Sequence, residues 1–139
     1  MPHRLLRALA VVVLLGGAVT GSTGCATACP AIAHLNAVVL DVSAFPDVSH
    51  VQFCVEATCS PAPGEEPTSS TNLYMATPQD DGTWSLAFGM SAPDVIEIRL
   101  FDAEETLLHE SEQSIAWTHS DATCGGPSTA DPLIPARPS

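Results

Sequence analysis

From residue 35 onward the apolar side chains of this chain recur at every second position, a period that belongs to strands buried on one face and not to helices. Leu35, Ala37, Val39 and Asp41 interleave with Val38, Leu40 and Val42. Val51, Phe53 and Val55 share one phase, against Gln52, Cys54 and Glu56. Trp84, Leu86 and Phe88 alternate with Ser85 and Ala87, and Ile96, Ile98 and Leu100 with Val95, Glu97, Arg99 and Phe101. No segment carries the long 3.6-residue period that parallel crossover connections need. The pattern therefore matches an antiparallel sandwich better than a parallel α/β sheet.

Turn residues divide this pattern into short pieces. Pro46 and Asp47 mark the exit of the first strand, and Pro78-Gln79-Asp80-Asp81-Gly82 joins strands over 73–77 and 83–88 as a hairpin. Pro93-Asp94 opens another strand, which Asp102-Ala103-Glu104-Glu105 returns into 106–112; a last strand over 114–118 places Ile115 and Trp117 on one face. Three prolines make 60–71 the most loop-like internal stretch, expected to be a mobile connection. Six or seven short strands in this space predict an all-β fold, an antiparallel two-sheet sandwich, with a closed barrel as the other arrangement.

The first 28 residues read as a signal peptide and processing region. Arg4 and Arg7 precede the apolar run from Ala8 to Leu15, which is short for a membrane span, and small residues follow. Two processing sites compete. Ser22-Thr23-Gly24-Cys25 resembles a bacterial lipobox, with Ser22 where that motif usually has an aliphatic residue, and implies lipidation of Cys25 as the new N-terminus. Ala26-Thr27-Ala28 is instead an Ala-x-Ala pattern that would release a soluble chain starting at Cys29. Residues 29–124 are expected to form the β-sandwich domain. The tail, 125–139, has Gly125, Gly126 and four prolines and is expected to be largely disordered.

Either processing route leaves Cys29, Cys54, Cys59 and Cys124. An even count in a small exported chain favours two disulfides, and four cysteines allow three connectivities. The favoured one joins Cys54 to Cys59 as a local clip, which requires a turn between them, and Cys29 to Cys124 so that the ends of the domain are tied.

The stretch from Asp81-Gly82-Thr83-Trp84-Ser85-Leu86 through Val95-Ile96-Glu97-Ile98-Arg99-Leu100-Phe101-Asp102 resembles the centre of immunoglobulin-like and transthyretin-like bacterial envelope domains. The resemblance implies an immunoglobulin-like or transthyretin-like sandwich and no activity.

Charge narrows the function classes. The whole chain has 16 acidic residues against 4 arginines, and beyond the leader only Arg99 and Arg137 oppose all 16 acids. Such a surface repels nucleic acid and anionic lipid, so membrane attachment falls to a lipid anchor; the partner it suits is a basic protein or peptide at the envelope.

Catalytic signatures are missing. The sequence has no Gly-x-Ser-x-Gly elbow, no Cys-x-x-Cys pair and no glycine-rich phosphate cradle, and we expect no enzyme and no cofactor. His34, His50, His109 and His119 lack metal-motif spacing, so no metal site is assigned, although distant strands can assemble one from imidazole and carboxylate. The acidic turns at Asp80-Asp81 and at Asp102, Glu104 and Glu105 lack the ligand pattern of an EF-hand loop and read as turn formers. Trp84, Phe88 and Trp117 keep core phase, while Tyr74 falls in the phase opposite Leu73 and Met75 and is the aromatic expected at the surface. The function these features predict is a noncatalytic secreted or cell-envelope β domain, an interaction or structural module. A metal- or small-ligand-binding envelope protein is the alternative.

Overall fold

Apolar alternation becomes two facing sheets in the computed structural model, which describes residues 28–67 and 73–137. The leader, Cys25 and residues 68–71 of the proline-rich connection lie outside the described residues. The strands are β1 (Ala37–Asp41), β2 (His50–Val55), β3 (Thr58–Cys59), β4 (Met75–Pro78), β5 (Thr83–Ala87), β6 (Val95–Phe101) and β7 (Leu107–Ser114). One sheet has the order β1-β5-β4 and the other β3-β2-β6-β7, with every strand pair antiparallel. The described residues contain no helix. The fold is thus all-β, in two antiparallel sheets with two disulfides.

The core lies where the two alternating faces meet. Val38, Leu40, Trp84, Leu86 and Phe88 come from the first sheet, and Val51, Phe53, Ile96, Ile98 and Leu100 from the second, all buried. Aromatic edges fill the space at one side. Phe53 meets Phe88 at 5.0 Å and Tyr74 at 5.7 Å between ring centroids, and Phe88 meets Trp117 at 5.8 Å. Such tilted and edge-on contacts suit the charge distribution of aromatic rings. Tyr74 therefore sits against the core, and it is Leu73 and Met75 that are exposed, the reverse of the phase assigned from sequence. With a short strand of mixed polarity, the two aromatic partners decide which side turns inward.

The disulfides join Cys29 to Cys124 and Cys54 to Cys59. Cys54 and Cys59 are directly opposed across a two-residue turn, Glu56-Ala57, with Glu56 at φ 54°. Ser60 extends this clip. Its amide donates to the Phe53 carbonyl at 2.8 Å and its hydroxyl oxygen accepts from the Phe53 amide at 3.0 Å. Gln52 Nε2 donates to the Ser60 carbonyl at 3.0 Å, so Gln52, on the outward face of β2, is buried as well. The start of the proline-rich connection is thus pinned over the sheet, not a mobile link as expected, because it supplies partners to backbone groups of β2.

The segment after Cys124 differs most from expectation. Thr118 and Thr129 exchange backbone hydrogen bonds, and residues near 133 then lie parallel to β1. The Asp41 amide donates to the Leu133 carbonyl at 2.9 Å, and the Leu133 amide to the Val39 carbonyl at 2.8 Å. Leu133 is 8% exposed, Pro135 is buried, and Arg137 Nη2 donates to the Ala44 carbonyl. Residues 125–139 are therefore not a disordered tail over their described part. The prolines that suggested disorder are compatible with an edge segment that pairs through only one residue, and the Leu133 side chain has apolar surface to cover.

Replacing Leu133 with Ala is expected to lower unfolding free energy by about 2 to 4 kcal/mol, as removal of a buried leucine side chain does. Ile134→Ala, at a side chain 66% exposed, is expected to change it little. Urea unfolding of the two variants checks this, and equal, negligible shifts would detach the tail from the core.

Candidate acidic loop surface

Antiparallel pairing places three turns at one end of the sandwich. Asp41 at the end of β1 is opposite Thr83 at the start of β5, and His50 at the start of β2 is opposite Phe101 at the end of β6. The β1–β2 connection, 42–49, consequently lies between the β4–β5 turn and the β6–β7 turn. It lines one depression of about 390 Å³ with Gln79, Gly82 and Trp84, and another of about 410 Å³ with Asp102, Ala103 and Glu104. Asp41, Asp47, Asp80, Asp81, Asp102, Glu104 and Glu105 all belong to this end. Arg137, bonded to Ala44, is the one Lys or Arg beside it among the described residues.

Several of these carboxylates build the turns that carry them. Asp81 Oδ1 accepts from the Thr83 amide at 3.0 Å and from its hydroxyl at 2.6 Å. Asp41 Oδ1 accepts from the Ser43 amide at 2.8 Å, and Asp102 Oδ1 from the amides of Glu104 and Thr106 at 3.0 and 2.8 Å. Local acceptance of this kind is why aspartate recurs in turns. The turn-forming reading of Asp81 and Asp102 fits this geometry. Gly82, at φ 81°, takes the left-handed conformation that closes the β4–β5 turn.

Hydrogen bonding holds two of these groups below the usual carboxylate range. For Asp81 the principal cause is the Thr83 hydroxyl, followed by the Thr83 amide. For Asp41 it is the Ser43 amide, followed by the Ser43 side chain, opposed by slight desolvation and by the nearby Asp81 charge. Asp41 and Asp81 therefore stay charged at neutral pH.

The histidines do not converge. His50 Nε2 donates to the Pro61 carbonyl at 3.1 Å, with its ring edge-on to Trp84 and Phe101. His109 Nε2 shares a hydrogen bond with the Ser111 hydroxyl at 3.0 Å and its ring packs 4.8 Å from Phe45. His119 Nδ1 bonds the Ser128 hydroxyl at 2.8 Å, and His34 lies on the segment entering β1. Among the described residues no group of three or more His, Cys, Asp or Glu side chains is arranged to hold a metal ion. The four histidines lie on separate structural elements.

At the opposite end a buried polar residue that the sequence pattern did not single out ties three segments together. Asn36 exchanges backbone bonds with Gly89 and Phe88, donates from Nδ2 to the Ser91 carbonyl at 3.0 Å, and accepts at Oδ1 from the Ser128 amide at 2.8 Å. It fixes the entry to β1, the β5–β6 connection and the start of the tail. A lone Asn before an apolar run carries no such signal in sequence, since each partner is more than 50 residues away.

Because Asp81 has its folded pKa lowered, its contribution to stability is present above the unfolded value, about 4, and is lost as pH falls through the folded one. Asp81→Ala is thus expected to lower the urea midpoint at pH 7, with the gap from wild type narrowing at about pH 2.5. A gap independent of pH would separate Asp81 from this linkage. Comparison with protein-family models, with curated proteins and with solved structures returned no match, so the features that bear on function are those of the chain itself.

Proposed function

We propose that this chain is an exported, noncatalytic interaction domain, held at the cell envelope through lipid on Cys25 and presenting its acidic loop end to a basic protein or peptide. The observation that carries this reading is the convergence of three acidic turns on one end of a rigid sandwich. The two disulfides suit an oxidising compartment outside the cytosol. Turns fixed by their own aspartates present charge without first paying to order a loop, and a one-sign field accelerates encounter with a cationic partner. Lysine or arginine side chains held across the depression at Asp47, Asp102 and Glu104 would lie beside its carboxylates.

A synthetic lysine-rich peptide is the simplest probe. Binding is expected at about 20 mM salt and is expected to weaken steeply by about 150 mM, as screening shortens the range of the field. The triple variant Asp47→Asn, Asp102→Asn and Glu104→Gln is expected to weaken binding severalfold more than neutralising Glu97, Glu112 and Asp131 elsewhere. Equal losses in the two triples would reduce the effect to diffuse net charge, and no binding at low salt would remove the basic-partner reading. Asp102 also supports its turn, so thermal unfolding of each triple accompanies the titration.

A further inference from the structure

The end opposite the acidic turns has a different surface. Leu35 precedes Asn36, whose side chain and backbone hold 88–91, and a Cβ at Gly89 would lie 3.5 Å from the Leu73 carbonyl. These bonds gather Leu35, Leu73 and Met90, which are 70%, 63% and 74% exposed. Ile32, 61% exposed, stands on the segment between this group and Cys29, and Met75 begins β4 beside it. Acids are fewer here: Glu56, Asp94 and Asp121 belong to this end, against the seven of the other.

The chain enters the domain at this same end. Cys29 is fastened to Cys124, and Cys25 stands four residues earlier, which is at most about 14 Å of fully extended chain. A lipid on Cys25 would leave no spacer long enough to hold the domain clear of the bilayer. We propose that this apolar end is a membrane-facing surface, with Leu35, Leu73 and Met90 resting on the neutral headgroups of the lipid leaflet in which Cys25 is anchored. This inference rests on the lipid-anchored reading above.

The tether and the patch act together. A few scattered apolar side chains on an acidic domain bind a bilayer too weakly to bring it there from solution, whereas an anchored domain meets the surface at high effective concentration. The repulsion that would turn an acidic protein away from a leaflet is concentrated at the far end, so the charge asymmetry favours the same orientation. The acidic turns then point outward, towards a partner. The lipid occupant is favoured over a second copy because the entry point of the chain and its short reach bring lipid to this end.

Every core residue named above lies between Val38 and Leu133, so the chain from Cys25 onward keeps all of them and is used for the test. Its Cys25 thiol, the one cysteine outside the two disulfides, is coupled to a maleimide lipid in phosphatidylcholine nanodiscs containing a headgroup nitroxide lipid. Amide signals of Leu35, Leu73 and Met90 are expected to lose intensity while those of Asp47, Asp81 and Glu104 keep theirs. The double variant Leu35→Asp and Met90→Asp is expected to remove this difference with an unchanged melting temperature. Equal loss at both ends, or greater loss at the acidic end, would overturn the orientation. So would a doubled mass with the apolar end covered by a second copy.

The mass of the N-terminal peptide from protein produced with its full leader in a bacterial host tests anchoring separately. An unmodified N-terminus at Cys29 would defeat the anchored reading, and this inference with it, whatever the coupled chain does. A lipidated Cys25 with equal signal loss at both ends would defeat this inference alone.

Discussion

Burial of two opposed apolar faces is the constraint on which the other features depend. Leu40 and Leu86 in one sheet, and Phe53, Ile98 and Leu100 in the other, are fully removed from water. Each fully buried aliphatic or aromatic side chain contributes about 1.5 to 3 kcal/mol of transfer free energy, far more than an exposed ion pair. That imbalance sets the register of the strands that carry the core, because in β6 a slip by one residue would move Ile96, Ile98 and Leu100 outward together. With the register fixed, the turns have no choice of end, and the clustering of acidic turns is a consequence of the core.

The strands and their inward residues were legible in sequence because alternation is a local signal. β1, β2, β5 and β6 carry strong patterns, and their core residues are those that period two selects. β7 is different. His109, Ser111 and Gln113 pair with Leu100, Ile98 and Ile96, so they share the inward face, yet they are polar and bond one another. A strand at the rim of a sheet can keep polar residues on that face, and no alternation rule reveals it. Asn36, Ser60 and Leu133 were illegible for another reason: their roles come from contacts with particular backbone groups brought together by the finished fold. The site was legible in part. Local aspartate patterns identified the turns, whereas their common location needed the pairing of β1 with β5 and β2 with β6.

Scarcity of positive charge shapes the outer face of the second sheet. Glu97 is directly opposite Glu112, an unfavourable pairing of like charges, and Arg99 lies between Glu97 and Glu110, forming ion pairs with both. One cation therefore relieves much of the repulsion on that face. The same carboxylates have a protective use at the rim. Glu110 and Glu112 make the long edge of β7 a poor template for another strand, Pro78 interrupts β4, and β3 has only two residues. The remaining edge, that of β1, is covered by the chain itself.

That cover comes from a segment made long after the strand it seals. Ribosomal synthesis delivers Val39 and Asp41 more than 90 residues before the Leu133 that bonds them, so β1 must wait with one edge open while nearly the whole domain emerges. Cys59 follows Cys54 almost at once, but Cys29 has no partner until Cys124 arrives. Completion is thereby deferred: a nascent chain that stops short of Leu133 lacks this seam, and only one that extends past it can close it.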